Sequence, residues 1–166
     1  MTNLPINRRG VLAAAGLTLA GFATLRWPSA AASAPTGRFA VIHSPVEWRK
    51  LLGPQRYAVL RQGSTESPYS SPLDKEKRAG VFTCAGCAQP LFASATKFDS
   101  GTGWPSFWKA LPRAVATKTD RSMLMARTEA LCSRCGGHLG HVFDDGPKPT
   151  GLRYCMNGLA LRFRPA

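Results

Sequence analysis

Two cysteine pairs of the same spacing, Cys84-Ala-Gly-Cys87 and Cys132-Ser-Arg-Cys135, restrict this chain more than anything else in its sequence. Two residues between cysteines let one turn of backbone aim both sulfurs at a single ion. Two such turns complete the four-thiolate tetrahedral shell that zinc favours. The small residues inside and after each pair, Gly86, Gly136 and Gly137, permit the tight turn. Forty-four residues separate Cys87 from Cys132, so one zinc ion held by Cys84, Cys87, Cys132 and Cys135 would clamp distant parts of the fold. A shell of four protein sulfurs has no open position, which makes the metal structural. Two alternatives remain at this level: a pair of disulfides in an oxidising compartment, or a redox dithiol in one of the two motifs.

The fifth cysteine, Cys155, has no partner in this scheme. It lies in Arg153-Tyr-Cys-Met-Asn157. In a strand, residues two apart share a face, so Arg153, Cys155 and Asn157 would point the same way. A cation beside a thiol favours the nucleophilic thiolate. His138 and His141, two of the three histidines, precede this segment and supply groups that exchange protons near neutral pH. Taken singly, each has a plainer reading: a buried small hydrophobe, a histidine satisfying a carbonyl, a solvated arginine. Together they describe thiol chemistry.

Sixteen glycines and thirteen prolines, scattered between short apolar runs, favour a turn-rich β fold over a helical bundle. Strand-length segments are predicted at Gly80-Val81-Phe82-Thr83, Leu91-Phe92, 114–117, 123–127, 141–143 and 159–163. In the last, Leu159, Leu161 and Phe163 are expected on one face, with Ala160 and Arg162 on the other. Two short helices broken at Gly53-Pro54 are expected before them, with Ser44 as N-cap and Pro45 at the first helical position.

Ahead of these, Arg8 and Arg9 precede the uncharged run Val11 to Leu25 and the small-residue sequence Ala32-Ser33-Ala34. This order of basic, apolar and cleavage regions predicts a signal peptide over 1–34, a linker over 35–45 and a domain over 46–166. The paired arginines favour twin-arginine export to the bacterial periplasm, although Val11 departs from the usual consensus; an ordinary secretory signal and an uncleaved membrane tether are the alternatives. Removing 1–34 deletes Arg8, Arg9 and Arg26 and no acid, so the net charge falls from +13 to +10 and the domain itself is basic. Such a charge admits a zinc-ribbon nucleic-acid module, but that reading leaves Cys155, the histidines and the signal unexplained. A metal-stabilised exported protein with an eroded site is the other alternative. No nucleic acid is expected as a partner.

The motifs Thr65-Glu66, the two cysteine pairs, Phe98-Asp-Ser-Gly-Thr-Gly-Trp-Pro-Ser-Phe107, His138-Leu-Gly-His-Val-Phe143, Asp145-Gly-Pro147 and Arg153-Tyr-Cys-Met-Asn157 resemble the B-type peptide methionine sulfoxide reductases. The likeness runs from about Tyr57 to Phe163. It implies a mainly β fold of two small antiparallel sheets with short N-terminal helices, clamped by a four-cysteine zinc site. It also implies reduction of the R epimer of methionine sulfoxide, free or in oxidised proteins and peptides. By resemblance Cys155 is the nucleophile and passes through a sulfenic acid. His141, the favoured proton donor, surrounds the sulfoxide oxygen with His138 and Asn157; Arg153 favours the thiolate; Trp104 and Phe143 contact substrate. The resemblance further implies a monomer served by a thioredoxin-like or other thiol reductant. Many members carry a second, resolving cysteine where this chain has Thr102, so an external thiol is expected to regenerate Cys155.

Overall fold

A computed structural model describes residues 39–123 and 125–166. The proposed signal segment therefore lies outside the described residues. Among those described, no helix is long and apolar enough to cross a membrane.

Among the described residues there are one α-helix, three short 3₁₀ segments and nine strands in two antiparallel sheets. Helix α1 spans Pro45–Gln62 and is interrupted at Gly53, whose φ of 68° and ψ of 173° are not helical, as the Gly53-Pro54 pair requires. Ser44 caps it in a reciprocal box: the Ser44 hydroxyl accepts from the Glu47 N–H, and the Glu47 carboxylate accepts from the Ser44 N–H. Such a cap contributes about 1 kcal/mol.

Strands β1 (Gly80–Cys84), β2 (Pro90–Ala93) and β9 (Leu161–Pro165) form the smaller sheet, in the order β2-β1-β9. The larger sheet holds β3 (Lys97–Phe98), β4 (Ser106–Phe107), β5 (Val115–Met123), β6 (Met125–Cys132), β7 (His138–Phe143) and β8 (Arg153–Met156). Its order is β3-β4-β8-β7-β6-β5. Aromatic rings join the sheets: Phe92 of the small sheet stacks on Phe107 of the large one at 4.3 Å, and Phe82 meets Phe107 edge-on at 4.9 Å. All three rings are fully buried, each stabilising the fold by about 1.5–3 kcal/mol through area removed from water. Tyr154 and Met156 add the inner face of β8 to the same core.

Two expectations need correction. Residues 123–127 are not one strand: Met123 pairs with Met125, so β5 ends and β6 begins there, and the apolar residue Met125 is exposed at the hairpin. The alternation assigned to 159–163 starts only at Leu161, because Gly158–Ala160 forms a 3₁₀ turn that buries Ala160. Ahead of α1, the Phe39 ring lies on Gly136, and the Val41 N–H donates to Arg134 O at 3.0 Å.

Candidate active site

Cys155 sits in β8 between two neighbours, facing Ser106 of β4 on one side and His141 of β7 on the other. Directly opposed residues share a face, with Cβ atoms about 4.5–5.5 Å apart. The same rule continues across the sheet through Glu129 of β6 to Lys118 of β5. Arg153 and Phe143, themselves a cross-strand pair, extend this polar face along β8 and β7. The opposite face is the aromatic core.

His138 and His141 are three residues apart and would point to opposite sides of an uninterrupted strand. Between them β7 takes one extra residue: Leu131 pairs with His138 and Ala130 with Gly140, leaving Leu139 as a bulge. The bulge sends Leu139 into the core and returns His138 to the side of His141, with the two rings 5.5 Å apart. Each ring is then held by a carboxylate. His138 Nδ1 is 2.7 Å from Glu129 Oε1, and His141 Nε2 is 2.9 Å from Asp120 Oδ2. Asp120 also accepts from the Ser122 N–H at 2.9 Å and from Arg127 at 2.7 Å; the Ser122 bond above all, then His141 and Arg127, hold its carboxyl well below the usual range. Burial lowers the His138 imidazole below its ordinary value, against the pull of Glu129. His138 Nε2 is buried with no partner. Both histidines line a cleft of about 880 Å³ that runs to the C-terminal end of α1; Cys155 is not in its walls.

The other expected residues take distinct places. Arg153 forks onto Asp145 with two bonds of 2.8 Å and stacks over Phe143 at 4.3 Å. Its charge is thus shared with a carboxylate rather than given to the thiol alone. Burial pushes the Cys155 thiol above its ordinary value, while Thr102, Arg153 and Ser106 pull it down. Trp104 is half-buried and donates its indole N–H to Glu66 O at 3.1 Å. Asn157 falls just past the end of β8, and its amide is spent on backbone: Oδ1 accepts from the Glu66 N–H at 3.0 Å and Nδ2 donates to Leu139 O at 3.2 Å. It therefore fastens the bulge behind the histidines.

Glu66, Glu129, Asp120 and Ser106 were given no role by the sequence alone. Glu66 is buried and accepts from the N–H groups of Gly158 and Leu159, the opening of the 3₁₀ turn after Cys155. An acid just after Thr65 in a turn carries no periodic signal, and its partners lie more than 90 residues away. Cross-strand partners such as Glu129 become visible only once the register is known.

The four remaining cysteines meet elsewhere. Cys84 and Cys87 turn at the end of β1, and Cys132 and Cys135 at the end of β6. Their sulfurs all lie within 4.8 Å of one another, with Cys84 to Cys135 at 3.8 Å and Cys87 to Cys132 at 3.5 Å. Metal–sulfur bonds of about 2.3 Å in a tetrahedron separate sulfurs by about 3.8 Å, whereas a disulfide needs about 2.05 Å. The five cysteines are free. This geometry fits a metal ion and not two disulfides. Arg61 of α1 donates to Cys135 O at 3.0 Å, fastening the second turn to the helix.

A half-buried thiol stands opposite a carboxylate-held histidine, on a sheet that four further thiols join to its neighbour, an arrangement suited to thiol chemistry. Residues 52–165 match the SelR domain. The chain is 56% identical over 126 residues to the peptide methionine sulfoxide reductase MsrB of Methanosarcina barkeri (strain Fusaro / DSM 804), covering 75% of this chain and 89% of that relative. It is 54% identical over 126 residues to the protein of the same name from Bradyrhizobium diazoefficiens, covering 75% and 91%. Against that of Leifsonia xyli subsp. xyli it is 51% identical over 131 residues, covering 78% and 94%. The chain belongs to the SelR family of peptide methionine sulfoxide reductases, and methionine sulfoxide reduction is its activity.

Proposed function

We propose that this protein reduces the R epimer of methionine sulfoxide, with Cys155 as nucleophile and His141 as proton donor. The Cys155 thiolate attacks the sulfoxide sulfur as the oxygen takes a proton. Oxygen ends on Cys155 as a sulfenic acid and methionine leaves as the thioether, so the thiol loses the two electrons that the sulfoxide gains. Two equivalents of an external thiol, or one thioredoxin-like dithiol, then remove the oxygen as water and depart as a disulfide. The observation that carries this reading is the placement of Cys155 directly opposite His141, with the other four sulfurs gathered away from it. Asp120 on Nε2 leaves His141 with Nδ1 for the substrate oxygen once the ring is protonated.

Trp104 and Phe143 supply the apolar wall for the substrate methyl group. An apolar wall beside a proton donor separates epimers, because the two exchange the places of oxygen and lone pair. Asn157 and Glu66 act from behind, fixing the bulge and the turn after Cys155. Zinc is the ion we assign to Cys84, Cys87, Cys132 and Cys135; it supplies cross-linking and no step of the reaction. Residues 1–34 serve as a twin-arginine-type export signal to the periplasm, testable by N-terminal sequencing of the exported protein.

The test of function is turnover of the two separated epimers with dithiothreitol. Activity on the R epimer, its loss in Cys155→Ser and an unchanged circular dichroism spectrum are expected. Turnover retained in Cys155→Ser removes Cys155 from the nucleophile's role.

A further inference from the structure

Three hydroxyl groups are gathered at the Cys155 sulfur. Thr102 Oγ1 lies 3.9 Å from Cys155 Sγ, Ser100 Oγ lies 2.8 Å from Thr102 Oγ1, and Ser106 Oγ lies 2.8 Å from Ser100 Oγ. Ser106, opposite Cys155 across the β4–β8 ladder and fully buried, also reaches Trp104 O at 3.1 Å. The loop bearing these groups is fixed from outside. The Tyr69 hydroxyl donates to Gly101 O and the Tyr69 N–H to Gly103 O, both at 2.7 Å, while the Gly101 N–H donates to Asp99 Oδ1 at 2.9 Å.

Each hydroxyl has one proton to give and lone pairs to receive. The three protons can therefore be ordered in two complete ways. In one, Ser106 donates to Ser100, Ser100 to Thr102 and Thr102 to the sulfur. In the other, the sulfur's own proton goes to Thr102, Thr102 donates to Ser100, Ser100 to Ser106, and Ser106 to Trp104 O. The carbonyl at the far end is what allows the second order, since it receives the proton that would otherwise be buried unpaired.

We propose that Ser100, Thr102 and Ser106 form a reversible hydroxyl chain that donates a hydrogen bond to the Cys155 sulfur as thiolate and turns round to accept one when the sulfur bears a hydroxyl or a proton. Thr102 touches the reacting atom; Ser100 is a positioning residue that acts through it. The chain compensates for what surrounds the sulfur. Burial disfavours the thiolate, and the nearest cation, Arg153, is forked onto Asp145. A sulfenic acid on Cys155 presents an O–H to the chain in the same sense as the thiol, so a site with no thiol at position 102 still holds the oxidised state. The sulfenic-acid part rests on the function proposed above; the thiolate part does not.

The experiment is the pH dependence of Cys155 alkylation by iodoacetamide in the whole, metal-loaded protein, with no sulfoxide present. Thr102→Val is expected to raise the midpoint and to slow alkylation at pH 7 by about tenfold, the effect of losing one hydrogen bond to a charged group, and Ser100→Ala, which leaves the Thr102 hydroxyl in place but unoriented, to shift both in the same direction by less. Thr102→Ser keeps the hydroxyl and should keep the wild-type midpoint, separating the bond from any loss of packing. A wild-type midpoint in Thr102→Val, or in Ser100→Ala alone, overturns the chain. In a second arm, one equivalent of hydrogen peroxide converts the thiolate to sulfenic acid with release of hydroxide, and dimedone is added after increasing delays. Faster loss of the trappable species in Thr102→Val than in wild type is expected, and equal decay overturns the sulfenic-acid part. Neither arm requires methionine sulfoxide, so failure of the reductase reading and failure of the chain are read separately.

Discussion

Ala88 follows the first cysteine pair with φ at 60°, and Gly136 follows the second with φ at 68°. The two turns are built alike, the Ala88 N–H donating to Cys84 O at 2.9 Å and the Gly136 N–H to Cys132 O at 2.8 Å. Only the second has the residue that adopts this left-handed backbone without steric cost, so Ala88→Gly should raise stability by about 1 kcal/mol in denaturant unfolding. At the histidines the sign of another effect is fixed. Glu129 raises the His138 imidazole against a larger lowering by burial, so Glu129→Gln should move its NMR titration midpoint further below the ordinary 6.5; an upward shift would mean that Glu129 does not hold Nδ1. The gathering of Cys84, Cys87, Cys132 and Cys135 was legible in the sequence because their spacing states it, and Cys155 stood apart for want of a partner in that scheme. Asp120, Glu129 and Ser106 were not, because each acquires meaning from the residue across the ladder. Arg153 was read as the cation that favours the thiolate. Asp145 lies only eight residues away, but nothing in that spacing shows that it occupies the guanidinium.

At the level of elements, the extra residue in β7 decides the site. It converts an i, i+3 pair of histidines into neighbours, and it depends on Gly140. A Cβ there would stand 2.1 Å from Cys155 O and 3.0 Å from Met156 Cα, both backbone atoms of β8. Gly140→Ala therefore has to part β7 from β8 at the nucleophile itself. A loss of stability of at least about 1–3 kcal/mol is expected, together with a fall in Cys155-dependent turnover. A variant as stable and active as wild type would show that the bulge is not what sets the His138–His141–Cys155 face. Helix α1 was readable down to its cap and its break, since Ser44, Pro45, Gly53 and Pro54 each restrict the backbone locally. The strands were readable as apolar runs. The β5–β6 hairpin was not, because Met123 and Met125 flank its tip with residues that look like the middle of a strand.

For the whole molecule, the cysteine pairs terminate strands of different sheets, β1 in the small one and β6 in the large one. An ion bound by all four therefore ties together the two faces of the aromatic core, and α1 lies over the join with Trp48 near Gly86 and Leu60 against Gly137. Cys132→Ser, or prolonged chelation of the native protein, should lower metal content and melting temperature together, and the loss should reach Cys155 turnover although no ligand touches that residue. Retention of the melting temperature in metal-free protein would show that the aromatic interface alone holds the sheets. The length of chain between the pairs forecast a clamp of this kind; which strands it joined depended on pairing across the fold. The ring of Phe39, resting on Gly136 in the turn that carries Cys135, extends this cover from the N-terminal side. Metal exchange should then be gated: a chelator strips the ion only in the moments when the segment at 39–41 lifts from the turn, so its rate should level off as chelator concentration rises, at the opening frequency of that short stretch.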